Sequence, residues 1–247
     1  MLKTFRGDLH IHTCLSPCAD LTMSPKGVVE KAVEKRLDFI AICDHNSAEN
    51  VRAAMTVGAD KGITVLAGME VTTLEEAHII ALFEGVDAAL QLQETVYETL
   101  EPGENVEDIF GEQIVANEFD EVEAFNKRLL LSATQLTLEQ LTKRIHSLGG
   151  LMIPAHIDRE VFSIIGQLGF IPDDLEADAL EISFNTHRLQ ALARFPGIEK
   201  YPLITSSDAH ILEDIGKVSS SFRLEAPRFD EIRKAFKRKG GRNVVID

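Results

Sequence analysis

The sequence has 247 residues, of which 45% are apolar, enough to form a sizeable buried core. Its formal net charge is −15, from 25 basic and 40 acidic residues, which argues against a protein that coats nucleic acid by bulk electrostatics. The first residues do not resemble a signal peptide, no apolar run reaches membrane-spanning length, and three cysteines are too few for a disulfide framework. We therefore expect a cytoplasmic protein with a single domain over residues 1–247 and no membrane contact.

The negative charge is concentrated in one stretch of the chain. Residues 84–126 contain 13 acidic residues and no Lys or Arg, whereas the rest of the sequence has a net charge of only −2. We interpret this stretch as an acidic insertion into the domain. It is either a solvated segment without a catalytic role or a lid that repels competing anions.

The first predicted strand carries Asp8, His10 and His12. Side chains alternate along an extended segment, so these three residues should share one face, with Leu9 and Ile11 on the other. In chain order the remaining predicted elements are a loop at 13–20, a helix at 24–36, a strand at 37–43, a helix at 47–61, strands at 63–69 and 79–83, helices at 86–100 and 137–147, strands at 151–155, 179–184 and 201–207, a helix at 228–239 and a strand at 242–246.

Polar residues follow several of these strands at their carboxyl ends. Alternating strands and helices with this placement are typical of a (β/α) barrel, whose active sites gather on that face. His78 differs because it precedes an apolar run, so either this strand is antiparallel or His78 lies on a loop folded over the site. The residues concerned are Asp44, His45, Glu70, His78, His156, Asp208 and His210, in addition to His10 and His12.

Six of the eight histidines belong to this set, which indicates a metal site. Imidazole nitrogen and carboxylate oxygen suit borderline or harder ions such as Zn, Mn or Fe. The donors are too many for one tetrahedral ion, so we expect two or three divalent ions. Clustered ions of this kind clamp the attacking and leaving oxygens of a phosphoryl displacement.

The ordered motifs His10-x-His12, Asp44-His45-Asn46, Glu70, His78, His156 and Asp208-x-His210 resemble those of the PHP (polymerase and histidinol phosphatase) superfamily, over nearly the full chain. The resemblance implies an α/β fold of the distorted (β/α)7 TIM-like barrel type, a trinuclear metal site and phosphoesterase chemistry. The chain looks most similar to the small stand-alone members that include the 3′,5′-nucleotide bisphosphate phosphatases.

The sequence departs from the family pattern after the His pair. Many members have an acidic residue or histidine a few positions later, where this chain has Pro17 or Cys18, with Asp20 slightly further on. We favour Asp20 over Cys18 as the third-site ligand because hard phosphate chemistry matches an oxygen donor. The expected metal ligands are then His10, His12, Asp20, His45, Glu70, His78, His156, Asp208 and His210.

Roles for the other polar residues follow from their chemistry. The expected catalytic residues are Arg159, Asp208 and His210. The Arg159 guanidinium can clamp two phosphate oxygens; alternatively, Arg159 only forms a salt bridge to Asp158 or Glu160. The expected nucleophile is a metal-bound hydroxide.

Three further residues are expected just outside the ligand set. Asp8 and Asp44 should orient imidazoles by accepting their free N–H groups. Asn46 should act similarly or contact substrate.

The expected function is hydrolysis of a phosphomonoester in a small phosphorylated metabolite or nucleotide. Three alternatives stay open: a metal-dependent C–N hydrolase, which would not need an anion clamp such as Arg159, a catalytically inactive metal-binding module, and an exonuclease acting on short oligonucleotides. In the last case a basic helix could guide the strand, through Arg233, Lys234, Lys237, Arg238 and Lys239.

Overall fold

The structure is a computed structural model and describes residues 1–245. The strands are β1 Lys3–Ile11, β2 Phe39–Ile42, β3 Thr64–Thr72, β4 His78–Phe83, β5 Ile114–Ala116, β6 Val122–Phe125, β7 Leu151–Pro154, β8 Leu180–Glu181, β9 Leu203–Ile204, β10 Ser220–Leu224 and β11 Asn243–Val245. The helices are α1 Pro25–Glu34, α2 Val51–Lys61, α3 Val86–Thr99, α4 Glu107–Phe110, α5 Leu138–Ser147, α6 Ile164–Leu168, α7 Arg188–Arg194 and α8 Phe229–Phe236. Among the residues described, none of these helices could cross a membrane.

Seven strands form a distorted ring. β1, β2 and β3 are parallel, β4 is antiparallel to β3, and β7 is antiparallel to β4. The ring continues through β8, where the Ile157 N–H donates to the Glu181 carbonyl at 2.9 Å, and through β9, which pairs with β8 in parallel. It closes where the His12 N–H donates to the Ala209 carbonyl at 3.0 Å. The expected distorted (β/α)7 barrel is confirmed, and β10 and β11 extend the sheet along the first half of β1.

Apolar side chains cover both faces of the sheet. In β2, Phe39 and Ala41 belong to one buried cluster, with Leu9 and Ile153, whereas Ile40 belongs to the cluster that packs against the helices. A strand with two buried faces needs a continuous apolar run, and the sequence at 37–43 has this pattern, broken only by Asp38.

The helix ends follow local signals in the sequence. The Ser24 hydroxyl caps α1 by accepting from the Gly27 N–H, and Thr137 and Gln140 form a capping box at α5. Helix α2 ends at Gly62, whose φ of 75° is a left-handed conformation that glycine adopts without strain.

The predicted alternation in β1 is wrong beyond Asp8. Leu9 lies in one core cluster and Ile11 in the other, so the two side chains do not share a face. The pairing of β1 with β2 shifts register between Asp8 and Ile11, and such a bulge re-aims the side chains that follow it. The bulge lies where His10 is placed.

The stretch at 84–126 is only partly an insertion. Helix α3 packs in the core through Ala89, Leu92 and Val96, all fully buried. The excursion from the barrel is the segment at 100–131, which contains α4 and the β5–β6 hairpin. At the other end of the chain, β11 matches the predicted strand at 242–246 as far as Val245, and Ile246 lies outside the described residues.

Candidate metal centre

His10 and His12 enter the barrel mouth at the end of β1, and each has its outer nitrogen fixed by a hydrogen bond. The His10 Nδ1 lies 3.0 Å from the Glu181 carboxylate, and the His12 Nδ1 lies 2.9 Å from the Ser16 hydroxyl. The Ser16 hydroxyl donates to Asp44 at 2.7 Å and therefore accepts from His12. Both Nδ1 atoms must carry the proton, which leaves the Nε2 lone pairs free for a ligand.

These lone pairs converge on two carboxylates. The two Nε2 atoms are 3.2 Å apart. Asp208 Oδ1 lies 3.2 Å from His12 Nε2 and 3.4 Å from His10 Nε2. Glu70 Oε1 is 3.4 Å from the His10 Nε2. Acceptors that face one another need a cation between them, and ligands bonded at roughly 2.1 Å to one ion are roughly 3.0–3.4 Å apart. The residues present therefore fit a metal ion.

Glu70 is the centre of a second group of donors. Its carboxylate lies 3.1 Å from His45 Nδ1, 3.0 Å from His78 Nδ1 and 3.2 Å from His156 Nε2. Burial raises the pKa of the Glu70 carboxyl, but its interactions with the surrounding imidazoles, foremost those of His78 and His10, lower it well below its usual range. His78 reaches this place because β4 is antiparallel and begins there, which confirms the first of the two sequence alternatives.

The candidate ligands form three overlapping groups. In each group one donor atom per residue lies within 4.8 Å of the others. The groups are His10, His12 and Asp208; His45, Glu70 and His78; and His12, His45 and His210.

Asp208 is held in a left-handed conformation, with a φ of 50°. Burial would raise the pKa of its carboxyl, but its interactions with the imidazoles of His10 and His12 lower it well below the usual range. The preceding segment is fixed by Asp8, which accepts from the N–H groups of Ser207 and Gly216, both at 3.0 Å. Asp8 thus positions Asp208, and the expectation that it accepts from an imidazole is wrong.

Asp44 and Asn46 act differently from each other. Asp44 orients His12 indirectly, through the Ser16 hydroxyl, as described above. The Asn46 amide donates to the carbonyls of Leu130 and Ser132 at 2.8 and 2.9 Å, and its oxygen accepts from the Thr72 N–H at 3.1 Å. Asn46 therefore ties the end of the excursion to β3, and it contacts no imidazole here.

The structure does not bring Asp20 to the cluster. The loop folds back towards the barrel, where the Asp20 N–H donates to the His210 carbonyl at 2.8 Å. The exposed carboxylate of Asp20, however, accepts from the N–H and hydroxyl of Thr22. Cys18, which is exposed on the same loop, is influenced by the cluster: desolvation raises the pKa of its thiol, but the neighbouring imidazoles of His210 and His45 lower it to about 6.

Arg159 lies at the edge of the donor cluster. Its guanidinium is 2.6 Å from Asp208 Oδ2, and the side chain is 35% exposed. Neither salt bridge considered from the sequence forms: Asp158 instead accepts from the N–H and hydroxyl of Ser183. Arg159 therefore places a positive charge between the cluster and solvent.

The excursion at 100–131 forms a wall beside the site. The Ile114 N–H donates to the Cys14 carbonyl at 2.9 Å, and the buried Asn50 amide donates to the Ile114 carbonyl at 3.0 Å. Gly111, with a φ of 98°, lies so close to the Pro17 carbonyl that a Cβ would clash with it. The excursion is thus docked on the loop that carries Cys18.

Sequence reasoning missed Glu181 and Ser16, whose contacts orient the His pair. Glu181 had a local signal: an acidic residue within an apolar strand rarely occurs without a partner. Two other histidines lie outside the cluster: His146 pairs with Asp178 at 2.9 Å, and His187 is exposed at the start of α7.

Similar proteins match this chain in sequence over part of its length, and two solved structures match its fold over most of it. The protein is 30% identical over 114 residues to the uncharacterised protein YqxK of Bacillus subtilis, covering 43% of this chain and 29% of that one. Endonuclease Q of Pyrococcus furiosus matches with a TM-score of 0.70 at 19% identity, over 98% of this chain and 58% of its own. A candidate metal-dependent phosphoesterase from Bifidobacterium adolescentis matches with a TM-score of 0.62 at 16% identity, over 94% of this chain and 96% of that one.

The chain spans less than two thirds of the length of YqxK and of endonuclease Q. Family models match two parts of it: the PHP domain over residues 8–181, and the PHP-associated segment over residues 199–239. The first range contains the strand ends that carry His10, His12, His45 and Glu70, and the second contains Asp208 and His210. This chain belongs to the PHP domain family.

Proposed function

We propose that this chain is a phosphoesterase that hydrolyses the phosphomonoester of a small metabolite or nucleotide. The observation that carries the proposal is the position of Arg159. Its guanidinium is 2.6 Å from Asp208 and partly open to solvent, so an anionic substrate that approaches the metal ligands meets a planar cation that can bind two oxygens at once. A C–N hydrolase has no need of such a group.

The three donor groups support a site for two or three divalent ions, with Zn, Mn or Fe as candidates. Such ions, when bound, neutralise phosphoryl oxygens and activate water for attack. Glu181 and Ser16 keep the lone pairs of His10 and His12 directed at the ions, and Asp208 presents one oxygen to this pair and the other to Arg159.

Cys18 is the better candidate than Asp20 for the remaining ligand. The imidazoles of His45 and His210, two of the three residues in one donor group, lower the pKa of its thiol, whereas the Asp20 carboxylate is turned to Thr22. A thiolate in this group would favour Zn over the harder ions, because soft donors select it.

A phosphate-release screen tests the proposal. The purified chain, freed of metal and reconstituted with Mn, Zn or Fe, is assayed on nucleoside mono- and bisphosphates, sugar phosphates and histidinol phosphate. We expect metal-dependent release from at least one class, and none from a His10→Ala variant, which lacks a ligand. Release that is equal in the variant, or absent from every class despite full metal loading, would overturn the proposal.

A nuclease is the second candidate, favoured by the similarity in fold to endonuclease Q over nearly the whole chain. The basic helix α8 gives it little help. Its Arg233 contacts the Gly149 carbonyl, just before β7, whereas His156 follows the other end of β7. The helix thus lies at the end of the sheet away from the metal ligands. Cleavage of internal diesters in a short oligonucleotide, without release of terminal phosphate, would favour the nuclease.

A further inference from the structure

Phe162 combines a strained backbone with an exposed aromatic side chain. Its φ is 56°, a left-handed conformation that bulky side chains rarely adopt, and 44% of its surface is open to solvent. Strain of this kind persists only where the surroundings enforce it, and it concentrates at functional sites. The exposed part of the ring is accessible to a ligand.

The turn that holds Phe162 is fixed by two hydrogen bonds. The Phe162 carbonyl accepts from the His78 N–H at 2.9 Å, and the Ser163 hydroxyl donates to the Arg159 carbonyl at 2.6 Å. The same turn thus carries Phe162 and Arg159, three residues apart, and joins them to the strand that begins at His78. The position of the ring relative to the guanidinium is set by the fold.

The Phe162 ring is stacked on the imidazole of His78, with centroids 4.8 Å apart and planes inclined by 18°. The edge of that imidazole faces Glu70, with Nδ1 at 3.0 Å. A flat aromatic surface therefore lies directly beside the donor cluster, on the same turn as Arg159.

We infer that Phe162 is a stacking platform for the base of a nucleotide substrate, and hence a specificity-determining residue. The inference rests on the proposed function and narrows its substrate class to nucleotides: the phosphate binds at the metal ligands and Arg159, and the base stacks on the exposed part of the ring. Stacking requires no particular hydrogen-bond pattern, because every base has an aromatic face, so the site should tolerate different bases.

The competing role for Phe162 is to cover His78. Replacement by Leu keeps an apolar cover and removes the aromatic face, whereas replacement by Trp keeps an aromatic face. Phe170, which is 63% exposed beyond α6 and forms no ring pair with a histidine among the described residues, offers a matched control.

The test compares two substrates that differ in having a base. On the metal-reconstituted protein, Phe162→Leu should raise KM for adenosine 5′-monophosphate about 10-fold and leave KM for glycerol 2-phosphate unchanged. Phe162→Trp should retain the nucleotide KM, and Phe170→Leu should match the unaltered protein. An equal rise in KM on both substrates, or a loss of metal from Phe162→Leu, would assign the ring to covering His78 and overturn the inference.

A binding measurement separates this inference from the proposed function. Stacking quenches the fluorescence of 2-aminopurine riboside 5′-monophosphate, and Phe162→Leu should lose that quenching while Phe170→Leu keeps it. If no phosphate is released from any substrate but quenching depends on Phe162, the phosphoesterase proposal fails and the inference stands. If quenching is absent or unaffected by Phe162→Leu, the inference fails whatever the activity.

Discussion

At the scale of single residues, the site combines a cluster of acceptors with one cation at its edge. Asp208 links the two, because one of its oxygens faces the Nε2 atoms of His10 and His12 and the other pairs with Arg159. A substrate phosphate can therefore replace Asp208 Oδ2 as the partner of the Arg159 guanidinium. Asp208 Oδ1 would still face the two imidazoles, so no metal ligand is displaced.

This arrangement predicts the behaviour of Arg159→Ala. The variant should raise KM for phosphorylated substrates about 10- to 100-fold, since a hydrogen bond to a charged group is lost, and it should keep its metal content. Steady-state kinetics with elemental analysis checks both. Arg52→Ala, on the exposed face of α2, is the control and should change neither. A loss of metal with an unchanged KM would make Arg159 a support for Asp208 only.

The third-site ligand is decided by a matched pair of variants. Cys18→Ser should lower the bound metal by one equivalent, because the imidazoles of His45 and His210 favour the thiolate of Cys18, whereas Asp20→Asn should keep the full complement. Metal content per chain is the measurement. If Asp20→Asn loses one equivalent of metal and Cys18→Ser keeps the full complement, the ligand is the Asp20 carboxylate expected from the sequence.

Glu181 should control metal affinity without touching the metal. An amide at this position can donate to the His10 Nδ1 and so permit the tautomer whose Nε2 carries a proton. We therefore expect Glu181→Gln to weaken metal binding about 10- to 100-fold, measured by competition with a chelator. Glu176→Gln, at an exposed position nearby in sequence, should bind as the unaltered chain does. Equal affinities in the two variants would contradict this role for Glu181.

At the scale of elements, the strand ends were predictable and the contacts between distant segments were not. A buried run such as 37–43 and the polar residues that follow it are local features, and they correctly placed His45 and Glu70 at one edge. The bulge near His10 depends on pairing with β2, and its Glu181 contact joins residues 171 positions apart. No local pattern encodes either of these.

The loop after β1 shows the same limit. Donor hardness favoured Asp20 although spacing favoured Cys18, but a hydrogen-bonded turn with Thr22 directs the Asp20 carboxylate to solvent. Side-chain hydrogen bonds two residues away compete with long-range ones, and in this loop the short-range bond forms.

Helix α8 offers a stability test away from the metal centre. The buried Glu231 pairs with Arg242 and Lys234, and the hydrogen bond from Arg242 helps lower its pKa from 4.5 to about 2. A carboxylate with a lowered pKa stabilises the fold above pH 4.5, and this contribution is lost as the pH falls towards 2. Glu231→Gln should thus lower the free energy of unfolding at pH 7 by about 2 kcal/mol.

Denaturant unfolding at several pH values checks this prediction. The difference between the unaltered chain and Glu231→Gln should shrink as the pH falls from 4.5 towards 2, and metal content should be equal in both. A difference that is constant over this range would show that the carboxylate charge is not responsible.

At the scale of the whole molecule, the barrel brings donors from six strand ends to one mouth, and the excursion at 100–131 forms a wall beside them. The acceptors there repel one another unless cations lie between them. Metal loading should therefore both complete the site and enable hydrolysis.

The most direct measurement follows metal content and phosphate release together in one sample. Metal-free chain is titrated with Mn or Zn, and bound metal per chain is measured alongside phosphate released from a nucleoside monophosphate. We expect two or three equivalents to bind, with phosphate release rising as they do. Binding of less than one equivalent, or full loading without release from any phosphomonoester, would contradict a metal-dependent phosphoesterase.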